Sequence, residues 1–213
     1  MSITLAVGTQ VAIASTYGSA VTMSALTNAA EAVATLAGGH SVVVGDYLEL
    51  TSGWDLVNGR IARVKAVSTN DITLESIDTR RYPTGTGTGS IRRITAWTTL
   101  SQITANISVS GGEQQFADIT SLTDQTQKQI PTTRSPVQVT LPVYDDPALA
   151  WYATVRSASE SATAAAVLMT FPNSSKLVAN AYWSLQQVPT IEDSTLRATV
   201  NLSFVADPTR YAT

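Results

Sequence analysis

The sequence predicts a mainly β protein, a sandwich or barrel with one flanking α-helix and a small β-meander, and three observations carry that expectation. Ser and Thr make up about a quarter of the 213 residues while only 14% are charged, the balance of a chain whose outward strand faces carry hydroxyls. Short runs of alternating apolar and polar residues recur between turns rich in Gly, Pro, Asn and Asp. One segment, beginning at Asp146-Pro147, joins a capping acid and a proline to apolar residues at helical spacing. A 44% hydrophobic share is enough to bury a core for one ordinary domain or two small ones.

Residues 1–40 read as a strand followed by a short helix: Ile3 to Met23 mixes small and β-branched residues, and Ala25 to Leu36 is Ala-rich with near-helical apolar spacing. Residues 41–79 read as a barrel-like meander. SVVVGDYLEL, NGRIARVKAV after the Asn58-Gly59 turn, and DITLESI after Thr69-Asn70-Asp71 are its strands. Ile61, Val64 and Val67 among Arg60, Arg63 and Lys65 suggest one wet and one buried face. Residues 80–93 read as a flexible basic loop, because PTGTGTGS from Pro83 to Ser90 has no large apolar anchor.

Residues 94–213 read as the main core, and their last part, from Pro136 onward, is the most legible. Ile91 to Thr99 and Ile103 to Val109 are strand-like, and a polar arm over 111–135 follows, too long for an ordinary connection. PVQVTLPVY is a strand feeding a helix over 146–158, with Asp146 at its N-cap and Pro147 at its first position. Three strands close the chain: Ala164 to Phe171, Lys176 to Val188 and Thr195 to Val205, with Pro172-Asn173-Ser174-Ser175 as a tight turn.

Composition excludes several classes of function. A formal charge of −3 and a pI near 5.1 leave no cationic excess for stable binding to a phosphate backbone. No apolar window reaches eighteen residues and MSITLAVGTQ has no basic n-region, so membrane insertion and export are not expected and synthesis in the cytoplasm is. Absence of cysteine removes disulfides, thiolate metal sites and cysteine nucleophiles.

Catalytic chemistry finds little to work with. His40, the sole histidine, follows Gly38-Gly39 in a stretch that reads as a turn, and no G-x-S-x-G elbow accompanies it. Asp145 and Asp146 are adjacent, which suits helix capping better than two acids facing each other across a sugar. Gly85, Gly87 and Gly89 lack the Lys-Ser/Thr and the helix that a phosphate loop needs. No catalytic residue, metal or cofactor is expected.

Charge is distributed unevenly. Seven of thirteen basic residues lie between Arg60 and Arg93, including Arg80-Arg81 and Arg92-Arg93, against Asp71, Glu75 and Asp78. The first 59 residues hold four acids and neither Lys nor Arg. The two patches are expected to complement each other, within a subunit or across a subunit boundary.

The carboxyl-terminal eighty residues resemble the major tail tube proteins of long-tailed, siphovirus-type bacteriophages. The shared order is strand, helix, then long strands: PVQVTLPVYDDPALAWYATVRSAS, then TAAAVLMTFPNSSKLVANAYWSLQQVPTIEDSTLRATVNLSFV. The Phe171-Pro172-Asn173 turn, the aromatic strand with Tyr182 and Trp183, and the late Thr/Val-rich strand are the most similar parts, and the stretch from Ser41 to Ile77 departs from the family layout as an insertion or decoration.

The resemblance implies a structural virion protein with a tail-tube-type sandwich, made in the host cytoplasm and assembled with copies of itself as hexameric rings stacked into a tube. Other tail proteins sit at the tube ends, DNA passes without specific binding, and the non-contractile type of tail is favoured. Under that reading Arg80, Arg81, Arg92, Arg93, Phe116, Ile119, Leu122, Ile130 and Arg134 are candidate subunit contacts, and Asp118, Asp124, Glu192 and Asp193 candidate lumen acids. The competing reading is a receptor-binding or capsid-decorating domain in which Trp54, Tyr82 or Trp97 stacks on a glycan.

Overall fold

The computed structural model describes residues 7–82, 87–104, 106–123 and 125–212. Its strands in chain order are β1 (Gln10–Tyr17), β2 (Val21–Leu26), β3 (Val33–Leu36), β4 (Tyr47–Ser52), β5 (Ile61–Ser68), β6 (Asp71–Leu74), β7 (Gly89–Leu100), β8 (Ser108–Ser110), β9 (Gln114–Asp118), β10 (Gln129–Arg134) and β11 (Gln138–Tyr144). Helix α1 (Ala150–Ser161) follows, then β12 (Ala165–Thr170), β13 (Lys176–Leu185), β14 (Thr190–Glu192), β15 (Thr195–Phe204) and β16 (Thr209–Tyr211). The chain is mainly β with one helix, as the composition predicts.

Six strands close on themselves. Around the ring β2 pairs β3, β3 pairs β6, β6 pairs β5, β5 pairs β4, β4 pairs β7, and β7 returns to β2, all antiparallel. Met23, Leu36, Leu48, Leu50, Ile72 and Ile91 fill the interior, and Trp54 plugs one end. Closure removes the free edges that so small a sheet would otherwise expose.

This barrel corrects the reading of residues 1–40. Ala25 to Leu36 is not a helix: β2 and β3 flank a turn there, and Leu26, Ala34 and Leu36 point into the barrel. A bulge between Met23 and Ala25 shifts the strand period and imitates helical spacing. A second bulge between Val64 and Ala66 accounts for the irregular spacing of apolar residues in β5. The outer face of β5 is not simply wet either, since Ile61 is buried against the main sheet.

Strand β7 joins the two halves. Its first half, Gly89 to Arg93, belongs to the barrel, and its second half, Ile94 to Leu100, pairs with β1. From β1 the main sheet continues through β12, β13, β15 and β11 to β8. One face packs on α1 through Ile13, Val167, Trp183, Val200 and Leu202 around Trp151 and Val155. The other, with Ala14, Ala166, Val178 and Tyr211 of β16, meets Tyr47 and Ile61 of the barrel. Burial on both faces explains why β12 reads AAVLM without alternation.

Three more expectations shift. The helix starts at Ala150, not Asp146, and its N-cap Leu149 makes no side-chain cap bond. Asp146 instead accepts the Ala148 N–H at 3.0 Å and, through its carbonyl, that of Leu149, shaping the turn before the helix. The strand expected over Ile103 to Val109 shrinks to β8 and one bridge from Ile103 to Val143, because Gln102 at φ 64 turns the chain. In the glycine run, Pro83 to Thr86, and with them Gly85, lie outside the described residues, but the rest is anchored. Ser52 Oγ donates to the Gly87 carbonyl at 3.2 Å, and Gly89 opens β7. Glycine is the anchor's requirement: a Cβ at Gly89 would stand 2.0 Å from the Thr51 carbonyl oxygen.

Candidate assembly surfaces

The basic cluster is largely neutralised inside the subunit. Arg92 Nε donates to Glu49 at 2.9 Å, and Glu49 also accepts from Asn180 of β13 at 3.0 Å, so one carboxylate ties β4 and β7 to the main sheet. Arg93 reaches the Ser41 carbonyl at 2.8 Å and Asp46 at 3.3 Å. Lys65 pairs with Glu31, and Arg63 with Glu75 at 2.6 Å. The early acids and later bases thus complement each other within one chain. Arg80 pairs with Asp78 two residues away, a contact that holds the Asp78 carboxyl down at about 2. Arg81 is exposed and, with Arg60, Asp78, Tyr82, Arg134 and Asp207, lines a groove of about 670 Å³ between barrel and arm.

The arm is a hairpin. Strands β9 and β10 pair only with each other among the described residues, with Phe116 opposite Pro131 and Ile130 opposite Ala117. Phe116, Ile119, Leu122 and Ile130 retain between 45% and 107% of full exposure. Four apolar side chains on one solvated hairpin have no core to enter, which is the signature of a surface awaiting a partner. Arg134 Nε donates to Gln114 within the hairpin at 3.3 Å. Asp118 accepts both the N–H and the hydroxyl of Thr120, which lowers its carboxyl below the ordinary range. Asp124 lies outside the described residues.

Glu192 ends β14 and Asp193 opens the turn to β15, where Arg197 meets them at 2.8 and 3.8 Å. Asp193 and Ser194 both take positive φ, as a two-residue hairpin turn demands. Around that turn Val188, Ile191 and Leu196 are 76%, 80% and 50% exposed. The sequence reading missed this second apolar patch, since Ile191 and Leu196 look like ordinary strand residues; its signal was the Pro189 and Glu192-Asp193 flanks that keep β14 to three residues.

The remaining candidates have internal partners. His40 Nε2 lies 2.9 Å from the Thr69 carbonyl. Trp54 stacks on Tyr82 with centroids 4.9 Å apart, and Trp97 sits edge-on to Tyr47. Trp54 is buried, so its ring is a barrel plug and not a sugar platform. Among the described residues no three His, Asp or Glu side chains converge as a metal cluster, and no helix is long and apolar enough to cross a membrane.

A main sheet covered on both faces, short strands at its margins and a solvated apolar hairpin, with no metal cluster among the described residues, are the features of a mainly structural β protein. Residues 52–213 match the family model of the phage tail tube protein, TTP, and the chain belongs to that family. The match begins at the end of β4, so it takes in β5, β6 and β7 of the barrel and the main sheet apart from β1. No curated protein matches the sequence. Family membership makes the chain a structural component of the virion tail, one that assembles into a tube with other tail proteins.

Proposed function

We propose that six copies close into a ring, that rings stack through the arm, and that the resulting tail tube is the conduit through which DNA passes into the host. The observation that carries this reading is the β9–β10 hairpin, which holds four exposed apolar side chains away from the subunit's own core. A body with three buried clusters and an arm outside them suits a repeating unit that makes its further contacts between copies. Short exposed edges at β8 and β14 offer further pairing sites at ring boundaries. The overall charge of −3 suits a conduit, because a strongly basic wall would hold DNA by summed attraction to phosphate.

Sedimentation velocity on the full chain and on a variant lacking residues 113–133 tests this. The full chain should form large particles; the deletion should leave a folded, non-stacking species that loses only the hairpin's β signal and keeps a cooperative unfolding transition. Stacking that survives the deletion would remove the arm from the proposal.

A further inference from the structure

Asn58-Gly59 is the one Asn-Gly pair in the sequence, and it lies in the connection from β4 to β5. Asn58 is exposed and Gly59 half-buried, so solvent reaches the pair. Three hydrogen bonds hold it in place. The Asn58 N–H donates to the Trp54 carbonyl at 2.9 Å, the Gly59 N–H to the Leu50 carbonyl at 2.8 Å, and the Ser52 N–H to Asn58 Oδ1 at 3.2 Å. Gly59 takes φ 76, a conformation that its lack of a side chain permits.

An asparagine followed by glycine is chemically labile, because no side chain on the next residue obstructs attack by its backbone nitrogen. Gly59 N gives its proton to a base and bonds to Asn58 Cγ; the Cγ–Nδ2 bond breaks, and the nitrogen leaves as ammonia after taking a proton from water. Water then opens the cyclic imide at either carbonyl. One opening gives aspartate, the other isoaspartate, in which the chain runs on through the side-chain carbon.

We infer that Asn58 is a latent deamidation site, held off by the closed barrel and reactive when the turn between β4 and β5 opens. Both reacting groups are engaged in the closed turn. The Gly59 N–H, committed to the Leu50 carbonyl, is withheld from the base that must take its proton, and the Ser52 N–H fixes the Asn58 carboxamide by its oxygen. Local opening of the turn frees both at once.

The same connection carries Trp54 and Val57 into the barrel core. Isoaspartate adds a backbone carbon between the Asn58 N–H held by Trp54 and the Gly59 N–H held by Leu50, so the two bonds cannot both be remade in register. Aspartate leaves the backbone unchanged but places a further carboxylate in the groove that Asp55, Asp78 and Asp207 already line. Loss of ammonia makes either change irreversible. A chain that closes its barrel promptly keeps the amide, and one that stays open is permanently marked. This inference does not rest on the stacked-ring reading. Asn173 supplies an internal comparison: its carboxamide is engaged by Ser175, but the residue that follows it is Ser174, whose side chain hinders attack.

Peptide mass spectrometry of the full chain, kept for days in mildly alkaline buffer with and without denaturing urea, follows conversion of amide to acid at Asn58 and Asn173. In urea Asn58 should convert well ahead of Asn173. In native buffer its conversion should be slower by at least about tenfold, the protection expected of a group that reacts only from an opened turn. Chains aged in urea and returned to native buffer should contain an isoaspartate fraction with a lowered unfolding midpoint. Equal rates at Asn58 in the two buffers, conversion of Asn173 ahead of Asn58 in urea, or isoaspartate-bearing chains that refold with an unchanged midpoint would overturn the inference.

Discussion

The Arg63 guanidinium lies 4.5 Å above the ring of Tyr211, whose hydroxyl accepts the backbone N–H of the same arginine at 2.8 Å. The two residues are 148 positions apart and join β5 of the barrel to β16, which pairs with β13. Removing the acceptor strands a backbone donor in a buried seam. Tyr211→Phe should therefore cost about 1–3 kcal/mol in urea denaturation, and Tyr211→Leu more, since it also removes the ring beneath Arg63.

Burial raises the hydroxyl pKa of Tyr17, Tyr47 and Tyr211, the last to about 12 from an ordinary 10.0. Desolvation disfavours the phenolate, so the folded state holds these protons more tightly than the unfolded chain. Their contribution is complete below the ordinary tyrosine pKa and is lost as pH climbs from there toward the raised folded values. At the acid end, the hydrogen bond from Arg63 holds Glu75 below its usual range, so that stabilisation fades as pH falls below about 4.5. A near-ultraviolet tyrosinate titration should show part of the signal delayed and appearing together with loss of tertiary circular dichroism. Full ionisation in one early step with the fold intact would contradict the buried seam.

Trp151 is fully buried, and with Val155 it forms the face by which α1 covers the main sheet. Trp151→Ala should lower stability by about 3–5 kcal/mol, measured as a shift in denaturation midpoint with the barrel signal retained longest. A loss below about 1 kcal/mol would mean that the helix is not anchored there.

Gly89→Ala tests how the barrel closes. The added Cβ would meet backbone of Thr51, with the carbonyl oxygen 2.0 Å and the carbon 2.8 Å away, and neither can rotate aside. The cost should reach or exceed the usual 1–3 kcal/mol of overpacking, read from urea denaturation followed by tryptophan fluorescence, because Trp54 sits in the same barrel core.

The C-terminal half was legible because its strands alternate and its turns carry their own chemistry. The Asn173 carboxamide accepts both the N–H and the hydroxyl of Ser175, so the turn after β12 is written in local residues. The barrel was half legible: Leu48, Leu50, Ile72 and Leu74 declared themselves, but bulges in β2 and β5 hid the strand period of its other members. Arg92 and Arg93 looked like an external patch since nothing local shows that Glu49 and Asp46 will lie opposite them; that pairing arises only when β4 and β7 meet. The arm's apolar residues were visible as misfits in a polar stretch, and those at the β14–β15 turn were not, because Ile191 and Leu196 fit a strand pattern perfectly well.

Negative-stain microscopy of the concentrated, purified chain tests the central claim most directly, with Phe116→Ser and Leu122→Asp as comparison. The wild-type chain should form six-fold rings and stacked tubes. The surface variants should keep monomer stability within about 0.5 kcal/mol and lose the stacks. A uniform field of compact monomers at every concentration, indistinguishable between wild type and variants, would contradict the claim that identical copies of this chain build a tube.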